Sequence, residues 1–169
     1  MWKNTGATRP EFADDPAPGQ ESVWDYPRPP AIEPCERLIE IRGPDGLIAK
    51  SEQGYRVLET ASPPTVYLPS SAVDWSAFVE APGHSFCEWK GGAKYWALAD
   101  DPATVVAWAY PEPARAFAAI ADQVSFYPGR VECYLDGERV RPQPGGFYGG
   151  WITDDIAGPF KGEPGTLHW

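Results

Sequence analysis

A chain of 169 residues, 43% of them hydrophobic, is the size of one ordinary domain with tails and carries enough apolar side chain to bury a single core. Its formal net charge of −10 argues against a nucleic-acid partner, because phosphate binding relies on clustered Lys and Arg that release counterions. Its apolar runs are too short to span a bilayer and Met1-Trp2-Lys3 opens no signal peptide, so the expectation is a cytoplasmic protein without membrane contact.

Twenty Pro and 17 Gly without a repeat, beside eight Trp, read as short strands and many turns around an aromatic-rich core, not as low complexity. Residues 1–34 form a Pro-rich arm with almost no aliphatic side chains; within it the stretch from Ser22 to Pro30 sets Trp24 and Tyr26 in a stiff strap expected to dock, while residues 1–20 are expected to stay loose. Strands follow at 37–42 and 47–51 around a Gly43-to-Gly46 turn, then at 55–60 and 65–68, with a turn at 69–74 and a short strand at best over 77–80. A central hairpin pairs 85–89 with 94–99 about Gly91-Gly92, and 104–110 continues the sheet. Residues 113–121 are the one helix, with Pro113 near its first turn and Phe117, Ile120 and Ala121 on one face. Strands at 124–127 and 131–135, turned at Asp136-Gly137 into 139–141, complete a domain over 35–142, and a Gly-rich, aromatic second arm occupies 143–169. The class is all-β, in antiparallel sheets with one short helix.

The candidate chemistry gathers about the central hairpin. Cys87 is a nucleophile or redox centre whose thiolate the Lys90 ammonium would favour, or a small core residue. Lys90 and Lys94 flank the glycines and would cradle a carboxylate or a phosphate, unless both are simply solvated. Tyr95, Trp96, Trp108 and Tyr110 lie on adjacent strands, where one face would line a pocket for a flat ligand or pack as core. Strand alternation allows only one of Tyr95 and Trp96 to share the side of Cys87. Glu59 is the acid–base candidate, or the partner of Arg56. Cys35, Cys87 and Cys133 form no Cys-x-x-Cys pair, and with His84 the nearest other ligand no metal site and no cofactor is expected.

Five runs in order, namely residues 56–60, 65–69, 87–96, 107–113 and 124–127 leading to Asp136-Gly137, resemble the domain-of-unknown-function family 427. The arms, with 23–30 and 149–162, look like those of its longer members. The resemblance implies a β-tent-like arrangement, a pair of antiparallel sheets pinned at one edge. Activity is left open by it. A nucleotidyltransferase label also attaches to the family, but neither Asp100-Asp101 nor Asp154-Asp155 follows a phosphate-binding loop. The leading expectation is a small-molecule-binding protein or enzyme. Its pocket lies between the sheets, with Glu59, Cys87, Lys90 and Tyr95 as reactive groups, Trp96, Trp108 and Tyr110 as aromatic lining, and the Trp24 and Trp151 arms as covers. The alternative is a non-catalytic module that recognises its partner through an aromatic cage.

Overall fold

Thr65-Val66-Tyr67-Leu68 alternates as a strand buried on both faces must, Val66 and Leu68 to one side and Tyr67 to the other, all three enclosed. In the computed structural model, which describes residues 1–169, the strands in chain order are β1 (Glu21–Ser22), β2 (Ala31–Cys35), β3 (Ile39–Gly43), β4 (Gly46–Ser51), β5 (Gly54–Leu58), β6 (Thr65–Pro69), β7 (Phe78–Cys87), β8 (Gly91–Leu98), β9 (Asp101–Ala109), β10 (Gln123–Phe126), β11 (Glu132–Leu135), β12 (Glu138–Arg139), β13 (Arg141–Pro142), β14 (Trp151–Ile152) and β15 (Ile156–Ala157). Seven of them form an antiparallel sheet in the order β2-β5-β6-β10-β9-β8-β7, and four form a second in the order β12-β11-β3-β4. Neither closes into a barrel. The all-β class, in antiparallel sheets, is therefore the class observed.

The main core fills the space between the two sheets. Ile39 and Ile41 of β3 and Cys133 and Leu135 of β11 meet Val66, Leu68, Val124 and Phe126 of the larger sheet. Trp151 closes this core, 1% exposed, with its indole N–H donating to the Phe126 carbonyl at 3.0 Å. A smaller cluster joins the two termini: Trp24 packs with Val23, Leu58 and Ile156, and β1 pairs in parallel with β15.

Four local expectations change. Residues 113–121 do not make an α-helix; Arg115–Ile120 is a 3-10 segment that kinks at Phe117 (φ −114°, ψ 17°). So short a piece gains few hydrogen bonds for its nucleation cost, and it is held instead by laying Phe117 and Ile120 on the sheet. The hairpin does not turn at Gly91-Gly92. Cys87 pairs with Gly91 and Phe86 with Gly92, so residues 88–90 make the turn and both glycines lie in β8. Gly91 is required there by a φ of +96° and by the Glu112 carbonyl, 3.2 Å from where a Cβ would stand. The Pro-rich arm gives up residues 31–34 to the sheet, where β2 is an edge strand and Pro34 costs no ladder bond that the sheet needs. Residues 1–20 are not loose: Phe12 packs 5.1 Å from the Trp24 ring and 5.0 Å from that of Trp169, and Arg9 donates to Asp25 at 2.7 Å.

Two outcomes follow from this packing. Trp24→Ala empties a fully enclosed site in the terminal cluster and lowers unfolding free energy by about 3–5 kcal/mol in a denaturant titration. Asp136, in the β11–β12 turn, accepts from Arg37 at 2.7 Å and from the Leu38 amide at 2.9 Å, and these bonds, Arg37 first, hold its carboxyl below the ordinary aspartate range. A depressed folded pKa contributes stability above the unfolded value near ~3.9 and loses it as pH falls through the folded one. Because the pair is solvent-exposed, Asp136→Asn costs less than ~1 kcal/mol at neutral pH, and the difference from the parent disappears in acid.

Candidate functional site

The face of the seven-stranded sheet turned away from the main core carries a second aromatic layer. Val57, Tyr67, Trp108, Phe117 and Ile120 are buried there, with Tyr95, Tyr110 and Tyr127 packed against them. Trp108 reaches this face through an irregularity of β9. Trp96 pairs with Ala107 and Ala97 with Val105, so Val106 is an extra residue, both it and Ala107 join the main core, and Trp108 points the other way. Its indole N–H donates to the Tyr67 hydroxyl at 3.0 Å, and its ring lies 4.5 Å from that of Tyr127.

A cavity of about 450 Å³ opens on this layer. Cys87, Lys90, Glu59, Tyr95, Trp108 and Tyr110 all stand on its wall. Cys87 is half-buried at the end of β7, and the Tyr95 hydroxyl is hydrogen-bonded to that of Ser85 two residues before it. Lys90, in the turn, holds its ammonium 5.6 Å from the centre of the Tyr110 ring and 6.0 Å from that of Phe117. Glu59, just past β5, lies 3.7 Å from the guanidinium of Arg28, not on Arg56, which instead bridges Glu21 and Glu33. Burial pushes the phenols of Tyr67, Tyr110 and Tyr127 up from their ordinary values, so each remains a neutral donor near pH 7.

Three expected lining residues lie elsewhere, and the pocket is not between the sheets, where the main core leaves no room. Trp96 points inward, 5.0 Å from the Trp75 ring, because alternation gives the outer face to Tyr95. Trp24 and Trp151 are enclosed in the terminal cluster and the main core, as their large apolar rings require once the arms dock. Lys94 is exposed, 3.9 Å from Glu80. His84 is exposed on β7, and no group of three His, Cys, Asp or Glu side chains is placed to share a metal ion.

The arms do cover the cavity, with other residues. Trp2 comes from the first, and Phe147, Tyr148, Gly149 and Lys161 from the second. A Cβ on Gly149 would lie 2.3 Å from Trp108 Cη2, so only glycine lets the strap run across the indole. Gln143 fastens the strap from beneath: its amide donates to the Lys161 carbonyl at 2.6 Å and accepts from the Gly150 amide at 3.1 Å. The signal for these residues was the conjunction of glycine with aromatic and lysine in 145–162, a pattern of close chain approach that carries no hydrophobic period.

The sequence match coincides with this architecture. A model of a domain of unknown function, DUF427, matches residues 31–137, from the start of β2 to the β11–β12 turn. The chain belongs to that family. It matches no curated protein. The DUF427 region supplies the sheet face with Cys87, Lys90, Tyr95, Trp108 and Tyr110, while Trp2, Tyr148 and Lys161 fall outside the matched residues.

Two measurements bear on the site. Iodoacetamide added to native protein modifies Cys87 first, and Cys35 and Cys133, 4% and 0% exposed, react only after denaturation; peptide mass mapping reads the order. Tyr67→Phe strands the buried Trp108 N–H and costs about 1–3 kcal/mol in unfolding free energy.

Proposed function

We propose that this DUF427 protein binds a small planar molecule in the outer-face cavity, with Cys87 as the nucleophile on its wall. One observation carries the reading: Tyr67, Tyr95, Trp108, Tyr110 and Tyr127 converge on one sheet face around a space of about 450 Å³, within the ~300–1,000 Å³ range of small-molecule sites. A flat ligand gains apolar contact along the wall that Trp108 and Tyr110 help to form, while the phenols and Lys90 supply polar contacts. The two arms lie over the opening, which favours an occupant held away from water.

The aromatic-cage alternative meets a physical objection. Three of the rings on the cavity wall already carry the protein's own ammonium groups, Lys90 over Tyr110 and Lys161 over Trp2 and Tyr148, which disfavours a further cation there. Nucleotidyl transfer has less support, since neither Asp100-Asp101 nor Asp154-Asp155 lines the cavity.

Native mass spectrometry of protein purified without denaturation is expected to reveal a bound small molecule. Trp108→Ala should weaken its retention by about tenfold or more, the scale of a lost aromatic anchor, whereas Trp96→Phe on the inner face leaves it unchanged. Equal retention in the two variants would place the ligand elsewhere.

A further inference from the structure

Lys161 is the cavity residue whose chemistry is least explained by the fold. It sits in Gly158-Pro159-Phe160-Lys161-Gly162, with its backbone fixed on both sides: its amide donates to the Ala61 carbonyl at 2.8 Å and its carbonyl accepts from Gln143 at 2.6 Å. The next residue must be glycine, because at φ +140° a Cβ would stand 2.0 Å from the Pro144 carbonyl oxygen. The chain path thus commits Lys161 to the cavity, where the residue is only 6% exposed.

Its ammonium makes neither an ion pair nor a hydrogen bond within the molecule; its neighbours are the rings of Tyr148, with the centroid at 5.4 Å, and Trp2, at 5.6 Å. The carboxylate that acts on it, Glu59, is turned to Arg28 at 3.7 Å. Arg28 is itself engaged by the backbone oxygens of Asn4, Thr60 and Trp169. Arg28 and Lys161 both feel the Glu59 carboxylate, but only Arg28 lies within ion-pair distance of it, which leaves Lys161 with no direct acceptor. Burial of the side chain draws Lys161 below the ordinary lysine pKa, with Glu59 pulling the other way, and an ammonium that faces the cavity with no acceptor from the protein favours an anion there. A dianion would need more free donors than a single ammonium beside Glu59 provides, whereas one carboxylate matches both the charge and the number of donors.

We propose that Lys161 is the anchor for a single carboxylate on a planar ligand, the acid group held between Trp2 and Tyr148 and the flat body lying toward Trp108. The proposal rests on the small-molecule reading of the same cavity and adds the ligand's charge and orientation. Trp2, Tyr148, Lys161 and Trp108 line the same cavity, so the two ends belong to one space.

The test compares 2-naphthoate, 2-naphthamide and 2-naphthylmethylamine by isothermal titration calorimetry against the full chain and its Lys161→Met and Lys161→Arg variants. The acid should bind the parent about tenfold or more tighter than the amide, the scale of a charge-assisted hydrogen bond. Lys161→Met should erase that difference by lowering acid affinity far more than amide affinity, and Lys161→Arg should keep most of it. Amide binding that persists in Lys161→Met also certifies that the variant retains the folded cavity. Acid and amide binding alike in the parent, or an acid preference that survives Lys161→Met, overturns the anchor but leaves the small-molecule reading standing. Preference for the amine overturns the anchor and restores the aromatic cage. If Lys161→Met loses amide binding, Lys161→Arg decides: loss of the acid preference there overturns the anchor. Failure of all three compounds to bind the parent at millimolar concentration overturns both readings.

Discussion

The seven-stranded sheet is apolar on both faces, and both faces must therefore be covered. Val66, Leu68, Val124 and Phe126 drive the inner face onto the four-stranded sheet, while Tyr67, Val57 and Trp108 demand a second cover on the outside. A sheet-on-sheet interface packs regularly, with side chains from two pleated surfaces interdigitating at near-crystalline density. The outer cover has no such partner. It consists of the 3-10 segment Arg115–Ile120, which seals one part with Phe117 and Ile120, and of chain ends that follow no lattice. The cavity is what remains where those irregular pieces bridge the sheet without filling its surface.

The chain ends consequently do structural work that the domain proper cannot. Trp24 and Trp151 are spent on cores, and their burial ties the arms to the sheets at fixed points, with β1–β15 and β13–β14 pairings adding backbone bonds. Between those points the strap crosses the Trp108 indole with almost no clearance, which only glycine permits at Gly149, and Gly162 lets it pass the Pro144 backbone. The residues suspended from it, Tyr148 and Lys161, are thus placed by backbone contacts and not by their own side-chain packing.

The charges that face the cavity are more balanced than those of the molecule as a whole. A chain with net charge −10 presents Lys90 and Lys161 to the cavity beside Glu59, which pairs with Arg28, and Glu88, which is exposed at the turn. The field inside a partly enclosed apolar site depends on the few charges that face it, since exposed carboxylates elsewhere are screened over about a Debye length. The overall acidity that argues against polyanions such as nucleic acid is compatible with a site that favours one small acid.

Local sequence was enough for the strands that alternate. Residues 65–68, 124–127 and 131–135 declare themselves by period, Asp136-Gly137 declares its turn, and the same alternation separates Tyr95 from Trp96. The five runs that resemble DUF427 fall within the matched region. The hairpin turn, the bulge that sends Trp108 outward, and the fate of each tryptophan were decided only in three dimensions. A glycine pair reads as a turn until its pairing with Phe86 and Cys87 places it in a strand, and a tryptophan reads equally as lining or as core until the partner surface is known. Lys161 is the sharpest case, because nothing near it in the sequence marks a charged residue for burial. Its position comes from bonds to Ala61 and Gln143, 100 and 18 residues away along the chain. Pattern along a chain reports how each segment meets a face, whereas the identity of that face is a property of segments far apart in sequence.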